Sequence, residues 1–200
     1  MSIVLRDPLD DPALLAAFVD GLEGAAASCG VMSGGRLRVT STEVRKLSAT
    51  DVLISAGGAE IAVAAVYVGF SGQLSGHAVL MLPAEEARSL ARIVLDGLAD
   101  AADDGSASVE TGGLTALERS ALEEVGNVAV SAVLNRLADH LGEAIHPTVP
   151  VYVYDMAGAV LDAIVSDVAG SDQMLFAART RFSQDTRDAT GVLLVLPAAH

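Results

Sequence analysis

Two periodicities divide this chain. Over residues 10–31, Leu14, Leu15, Phe18, Val19, Leu22, Ala25, Ala26 and Cys29 return every three or four positions, the stripe of an amphipathic helix. Asp10 or Asp11 serves as its cap and Pro12 falls in the first turn, where a missing N–H costs nothing. Ser33-Gly34-Gly35 ends it. Residues 36–47 then alternate: Leu37, Val39, Ser41 and Glu43 oppose Arg38, Thr40, Thr42 and Val44, as in a partly exposed strand. Residues 51–56 are too few to assign to helix or strand, and Gly57-Gly58 breaks them. EIAVAAVYVGF (60–70) and SGHAVLML (75–82), joined by Ser71-Gly72-Gln73-Leu74, predict an antiparallel hairpin. PAEEARSLARIVLDGL (83–98) predicts a helix, with Glu85 and Glu86 in the first turn, where the helix dipole favours anions.

The second half repeats this order. Residues 99–113 (ADAADDGSASVETGG) have almost no large apolar side chain and read as a linker. Residues 115–141 then predict one long helix from the spacing of Leu117, Ala121, Leu122, Val125, Val128, Ala129, Ala132 and Val133. Thr115 with Glu118 forms a capping box at its start, and Gly142 is its stop. A strand over 148–154, a helix over 156–168, and strands over 173–182 and 191–196 around a polar turn (183–190) complete the chain. Each half runs helix, strand, short segment, hairpin, and each hairpin ends in Leu-Pro, Leu82-Pro83 and Leu196-Pro197. A repeat of roughly 100 residues predicts a pseudo-two-fold domain, because solenoid repeats are usually ~20 to 50 residues. The expectation is one domain over 1–200, built of repeats at about 10–98 and 114–197, with six strands against flanking helices in an α+β or α/β layer structure.

Composition narrows the classes. The apolar fraction is 52%, mean hydropathy is +0.47 and Trp is absent, so the core is built of Ala, Val and Leu. No uninterrupted apolar run reaches the ~18 residues of a membrane span, and MSIVLRDPLDDP lacks a basic segment followed by an apolar one. A cytoplasmic location is the expectation. A net charge of −14 argues against nucleic acid as a partner, since no Lys/Arg cluster exists to displace its counterions. Cys29 is the only cysteine, which excludes an internal disulfide and a thiolate zinc cluster. His77, His140, His146 and His200 show no ligand spacing.

Candidate chemistry concentrates on the helix 115–141. Ser120, Glu124, Asn127, Ser131 and Asn135 are separated by 4, 3, 4 and 4 residues and share one narrow strip, while almost every other face is apolar. A carboxamide such as Asn127 donates and accepts at once. It can fix the direction of a bound water without carrying charge. Ser120 can bond its own helix backbone or a partner. Pro150, at a strand start, sets the path of the chain.

The spacing Ser120-x3-Glu124-x2-Asn127-x22-Pro150 resembles the Asp/Ser-x3-Glu-x2-Asn-x22-Pro signature of the CheC/CheX/FliY family of chemotaxis phosphatases. EEVGNVAVSAVLNRLADHLG is similar to that family's helix, and AAVYVGFSGQLSGHAVLMLPAEEARSL to its middle hairpin and following helix. The resemblance implies a CheC-like α+β fold, a mostly antiparallel sheet of about six strands with two long central helices. It also implies dephosphorylation of the phospho-aspartate of a CheY-type response regulator. Glu124 would grip the regulator's active-site Lys and Asn127 would orient the attacking water, with Ser120 and Pro150 as binding residues. Phosphoryl transfer asks little covalent work of the protein beyond positioning and charge neutralisation. The implied Mg2+ belongs to the regulator, so no cofactor of its own is expected. Some members carry a second Glu-x2-Asn on the first helix. Here that place aligns with Gly21-Leu22-Glu23-Gly24, with Glu23 out of phase and no Asn, so one working site is expected. The resemblance also admits a non-catalytic binding module, a flagellar-switch component or an adaptor for CheD.

Overall fold

Local capping sets the helix boundaries. The computed structural model describes residues 11–72, 74–95, 112–167 and 174–198. Asp11 caps α1 (Pro12–Met32), its carboxylate accepting from the Ala13 N–H at 2.9 Å. Thr115 caps α4 (Ala116–Leu141) through the reciprocal box with Glu118, and Gly142, at φ 71°, closes it in the left-handed conformation that glycine takes at least cost. Between them lie β1 (Arg38–Ser48), α2 (Ala49–Ala56), β2 (Ala62–Gly72), β3 (Gly76–Pro83) and α3 (Ala84–Leu95). After α4 come β4 (Ile145–Pro147), β5 (Val151–Met156), α5 (Ala157–Asp167), β6 (Met174–Gln184) and β7 (Arg187–Pro197).

The strands form one antiparallel sheet in the order β1-β6-β7-β3-β2-β4, with β5 also on β2. The halves exchange edge strands: β1 pairs with β6 of the later hairpin, and β5 pairs with β2 of the earlier one. Neither half closes its share of the sheet without the other. With Leu82-Pro83 aligned on Leu196-Pro197, Val79 and Leu80 correspond to Leu193 and Leu194. These four are register partners across the central β3–β7 pair, which places the pseudo-dyad there.

Helices cover both faces. On one, α1, α3 and α4 pack on Ala64, Val68, Leu80, Phe176, Phe182 and Leu193, with Phe18 stacked on Phe176 at 5.3 Å between ring centroids. On the other, Val52 of α2 and Val160, Leu161 and Ile164 of α5 pack on Val63, Ala65, Met81, Leu175 and Leu194. The α+β architecture with two long helices packed on one face agrees with the expectation. By length and composition α1 could cross a membrane; here Leu14, Phe18, Leu22, Ala25 and Cys29 are buried in the core.

Several boundaries differ from the sequence expectation. Residues 51–56 belong to a helix, α2, started by a capping box of Ser48 and Asp51. The seventh strand, β4, is three residues long and ends in proline, too short for any periodicity to reveal. The strand expected over 148–154 starts at Val151 and runs on through Asp155 and Met156. The polar stretch 183–190 is mostly strand, turned at Asp185 with φ 52°; α3 reaches its later part, where the Ser89 hydroxyl donates to the Asp188 carbonyl and the Thr190 N–H to the Glu86 carboxylate. Alternation along β1 breaks at a bulge between Thr42 and Arg45, with Glu43 at φ 52°. The bulge turns Val44 toward the core, opposite to the face that strict alternation assigns it. The linker expected at 99–113 lies outside the described residues except Gly112 and Gly113, as do 96–98, Asp10, Gln73, Val168, Gln173 and His200.

Candidate functional site

The rotation of α4 about its axis is fixed by two glycines. A Cβ at Gly126 would lie 2.5 Å from the Val66 Cβ on β2, and a Cβ at Gly21 of α1 would lie 2.8 Å from the Val133 Cα on α4. A helix-interior glycine costs roughly 1 kcal/mol against alanine. Here that cost permits close approach to the sheet on one side and to α1 on the other. With Leu122, Val125, Ala129, Val130, Val133 and Leu137 buried, one strip of α4 faces outward.

That strip carries the expected residues. Ser120, Glu124 and Asn135 are exposed, while Asn127 and Ser131 are half-buried. Helical spacing brings Ser120, Glu124 and Asn127 together. The Ser131 hydroxyl donates to Asn127 Oδ1 at 3.4 Å, one turn along. Pro150 belongs to another element, the 148–150 link between β4 and β5. There the Thr148 N–H donates to the Gly69 carbonyl at 2.8 Å and the Gly69 N–H to Thr148 Oγ1 at 3.0 Å. Lacking an N–H, Pro150 ends the ladder between two strands that both pair with β2.

Arg119 and Tyr152 flank the strip and were not singled out in the sequence. The Arg119 guanidinium lies 5.6 Å from the centre of the Tyr152 ring on β5 and pairs with Glu123 at 3.1 Å. The Arg119/Glu123 spacing is legible as a helical ion pair, but nothing local brings Tyr152 to it. The Tyr152 hydroxyl is buried with no partner among the described residues. Burial chiefly, with Tyr154 and Glu123 adding to it and Arg119 opposing, raises its pKa, so the phenol stays neutral at physiological pH.

The phase of the first helix also changes. Aligning the caps, Asp11 on Thr115, superimposes the buried residues Ala17, Phe18, Gly21, Leu22, Ala25 and Cys29 on Ala121, Leu122, Val125, Gly126, Ala129 and Val133. The outward strip then reads Ala16, Asp20, Glu23, Ala27 and Val31, all exposed. Glu23 is therefore in phase with Asn127, and Asp20 with Glu124. Motif spacing counted without the helix start puts Glu23 out of phase; the cap supplies the origin that corrects it. No carboxamide stands on this strip. A carboxylate at the Asn127 place adds negative charge and, ionised, donates no hydrogen bond.

The α4 strip lies on the outward side of the helix. A recess of about 360 Å3 lies across the sheet, lined by Ala65, Tyr67, Val153, Asp155, Val160 and Ile164. Among the described residues, no group of three or more His, Cys, Asp or Glu is placed to hold a metal ion. An open row of one carboxylate and one carboxamide between hydroxyls suits a group presented on the surface of another macromolecule.

No protein-family model matches the chain. Over 141 residues it is 30% identical to the CheY-P phosphatase CheC of Bacillus subtilis (strain 168), an alignment covering 69% of this chain and 64% of CheC. The chain thus spans less than two thirds of that relative's length. Among solved structures it is similar to Thermotoga maritima FliY, with TM-score 0.67 and 17% identity over 97% of this chain and 92% of the other. It is also similar to a chain of the FliG–FliM complex from H. pylori (TM-score 0.57, 11% identity, 94% of this chain and 95% of the other). A chain of the CheX–CheY–BeF3–Mg2+ complex from Borrelia burgdorferi is similar as well (TM-score 0.53, 15% identity, 92% and 97%). At these identities the structures establish a common fold.

Proposed function

The chain is CheC/CheX/FliY-like, and from that premise we propose that it hydrolyses the phospho-aspartate of a CheY-type response regulator in chemotaxis signalling. The supporting observation is the outward strip of α4, where Glu124 and Asn127 stand one turn apart on a helix otherwise packed into the core. Glu124 pairs with the regulator's active-site lysine. Asn127 accepts a hydrogen bond from the attacking water through Oδ1 and donates one to a phosphoryl oxygen through Nδ2, holding the water in line. Ser120 lies at the rim as a docking hydroxyl, and Pro150 shapes the neighbouring link. The Mg2+ that offsets phosphoryl charge is supplied by the regulator, and the setting is the cytoplasm. The two halves act as repeats of one domain with one working site, since Asp20 and Glu23 offer no carboxamide. Decay of the phosphorylated regulator, followed with and without the protein and with E124A and N127A, tests the proposal. Acceleration by the wild type that the variants lose supports it.

A second reading is a binding module without catalysis, a flagellar-switch component or a CheD adaptor, docking a partner on the same strip. The likeness in fold to a chain of the FliG–FliM complex favours it. Regulator binding that persists in N127A, with an unchanged phosphoryl lifetime for both proteins, supports this reading instead.

A further inference from the structure

The geometry points to Ser131 as the positioning residue of Asn127. This inference rests on the phosphatase reading and adds a member to the site. The Ser131 hydroxyl donates to Asn127 Oδ1 at 3.4 Å. That is long for an O–H···O bond, as hydrogen bonds of catalytic groups often are before the substrate docks. It occupies one of the two lone pairs of Oδ1. The other lone pair remains for a proton of the water, and both Nδ2 protons remain available to donate to a phosphoryl group. Without it, the carboxamide rotates about its last torsion, which has broad, roughly two-fold preferences, and presents N–H donors where the water needs an acceptor.

The molecule contains its own comparison. In the cap-aligned first helix, the places of Asn127 and Ser131 are taken by Glu23 and Ala27. Where the carboxamide is absent, the hydroxyl one turn along is absent too, although the buried residues between them keep their pattern.

The test uses single-turnover decay of a phosphorylated CheY-type regulator with wild type, S131A, S131V, S131T and the N127A/S131A pair, each first checked for native thermal unfolding. S131V and S131T share shape and differ in the hydroxyl, so their comparison isolates it. The expected result is a maximal rate lowered about threefold to tenfold in S131A and S131V, the rate equivalent of one neutral hydrogen bond. The half-saturating concentration stays unchanged, S131T recovers the rate, and S131A has no further effect once Asn127 is alanine. Equal maximal rates for wild type and S131V overturn the inference alone, as does an S131A loss that persists in the N127A background. Wild-type protein that leaves regulator decay unchanged overturns the phosphatase reading and this inference together.

Discussion

Gly126 lies against Val66 so closely that a Cβ built on the glycine would fall 2.5 Å from the valine's own. The contact sets both the depth of α4 on the sheet and its rotation, and hence the direction of Glu124 and Asn127. Replacing Gly126 with alanine removes a helix-interior glycine, worth roughly 1 kcal/mol in favour of the helix. It also overpacks the seam, which costs typically about 1 to 3 kcal/mol. Because the clash is with a β-branched side chain on a central strand, overpacking prevails. G126A is expected to unfold at lower urea concentration and to lose activity in proportion to the shift of the strip. A midpoint equal to wild type would show that the seam has slack.

The strip on α1 carries Asp20 and Glu23 at the places of Glu124 and Asn127. If only α4 acts, D20A/E23A leaves the rate of regulator dephosphorylation within about twofold of wild type, the size of effect expected of surface changes away from the chemistry. A loss comparable to that of N127A would mean that both helices work.

Much of this arrangement was legible in the chain. The capping box of Thr115 and Glu118, the stop at Gly142 and the 3.6 period of α4 are local, and they placed Ser120, Glu124 and Asn127 on one strip before any fold was known. The β2–β3 hairpin was equally plain, because β-branched and apolar runs flank a glycine-bearing turn. What escaped was set by tertiary pairing. Ile145, His146 and Pro147 form a strand only because the end of β2 is there to receive them. The phase of Glu23 needed the Asp11 cap as its origin, and the meeting of Arg119 with Tyr152 joins residues far apart in sequence. The i, i+4 contact of Ser131 with Asn127 was within reach of helical spacing, but the sequence offered no reason to give it a role.

Alkaline pH should destabilise the fold in a defined window. Burial pushes the Cys29 thiol from 9.0 up to about 11. A folded-state pKa above the unfolded one means that the folded chain holds its proton more tightly. The associated stability is therefore complete below pH 9.0 and is lost as pH rises toward about 11. Tyr152, also raised, adds to the loss above pH 10, its unperturbed value. Urea unfolding is expected to show a decline of about 2 to 3 kcal/mol across this window. C29A should start less stable and decline less steeply. Parallel curves for the two proteins would assign the alkaline loss to other groups.

Glu124 is exposed, and the proposed function has it dock the regulator by charge. E124Q keeps size and hydrogen bonding but removes the attraction for a lysine. It is expected to raise the half-saturating concentration about tenfold, the scale of one charge-assisted contact, with a smaller effect on the maximal rate. The variant's salt dependence should also be flatter, because ions no longer screen that pair. Wild type and E124Q with the same salt slope would exclude Glu124 as the docking charge.

The central claim is that Asn127 directs water at a phosphoryl group held by another protein. Its most direct measurement is the first-order decay of phosphorylated CheY-type regulator at saturating protein, comparing wild type with N127A while regulator binding is measured in parallel. The account predicts that wild type accelerates decay and that N127A binds the regulator comparably, yet loses about 100-fold of the acceleration, the scale at stake when a reactant is no longer held in line. Decay equally fast with wild type and N127A, or as slow with wild type as with no protein added, would contradict it.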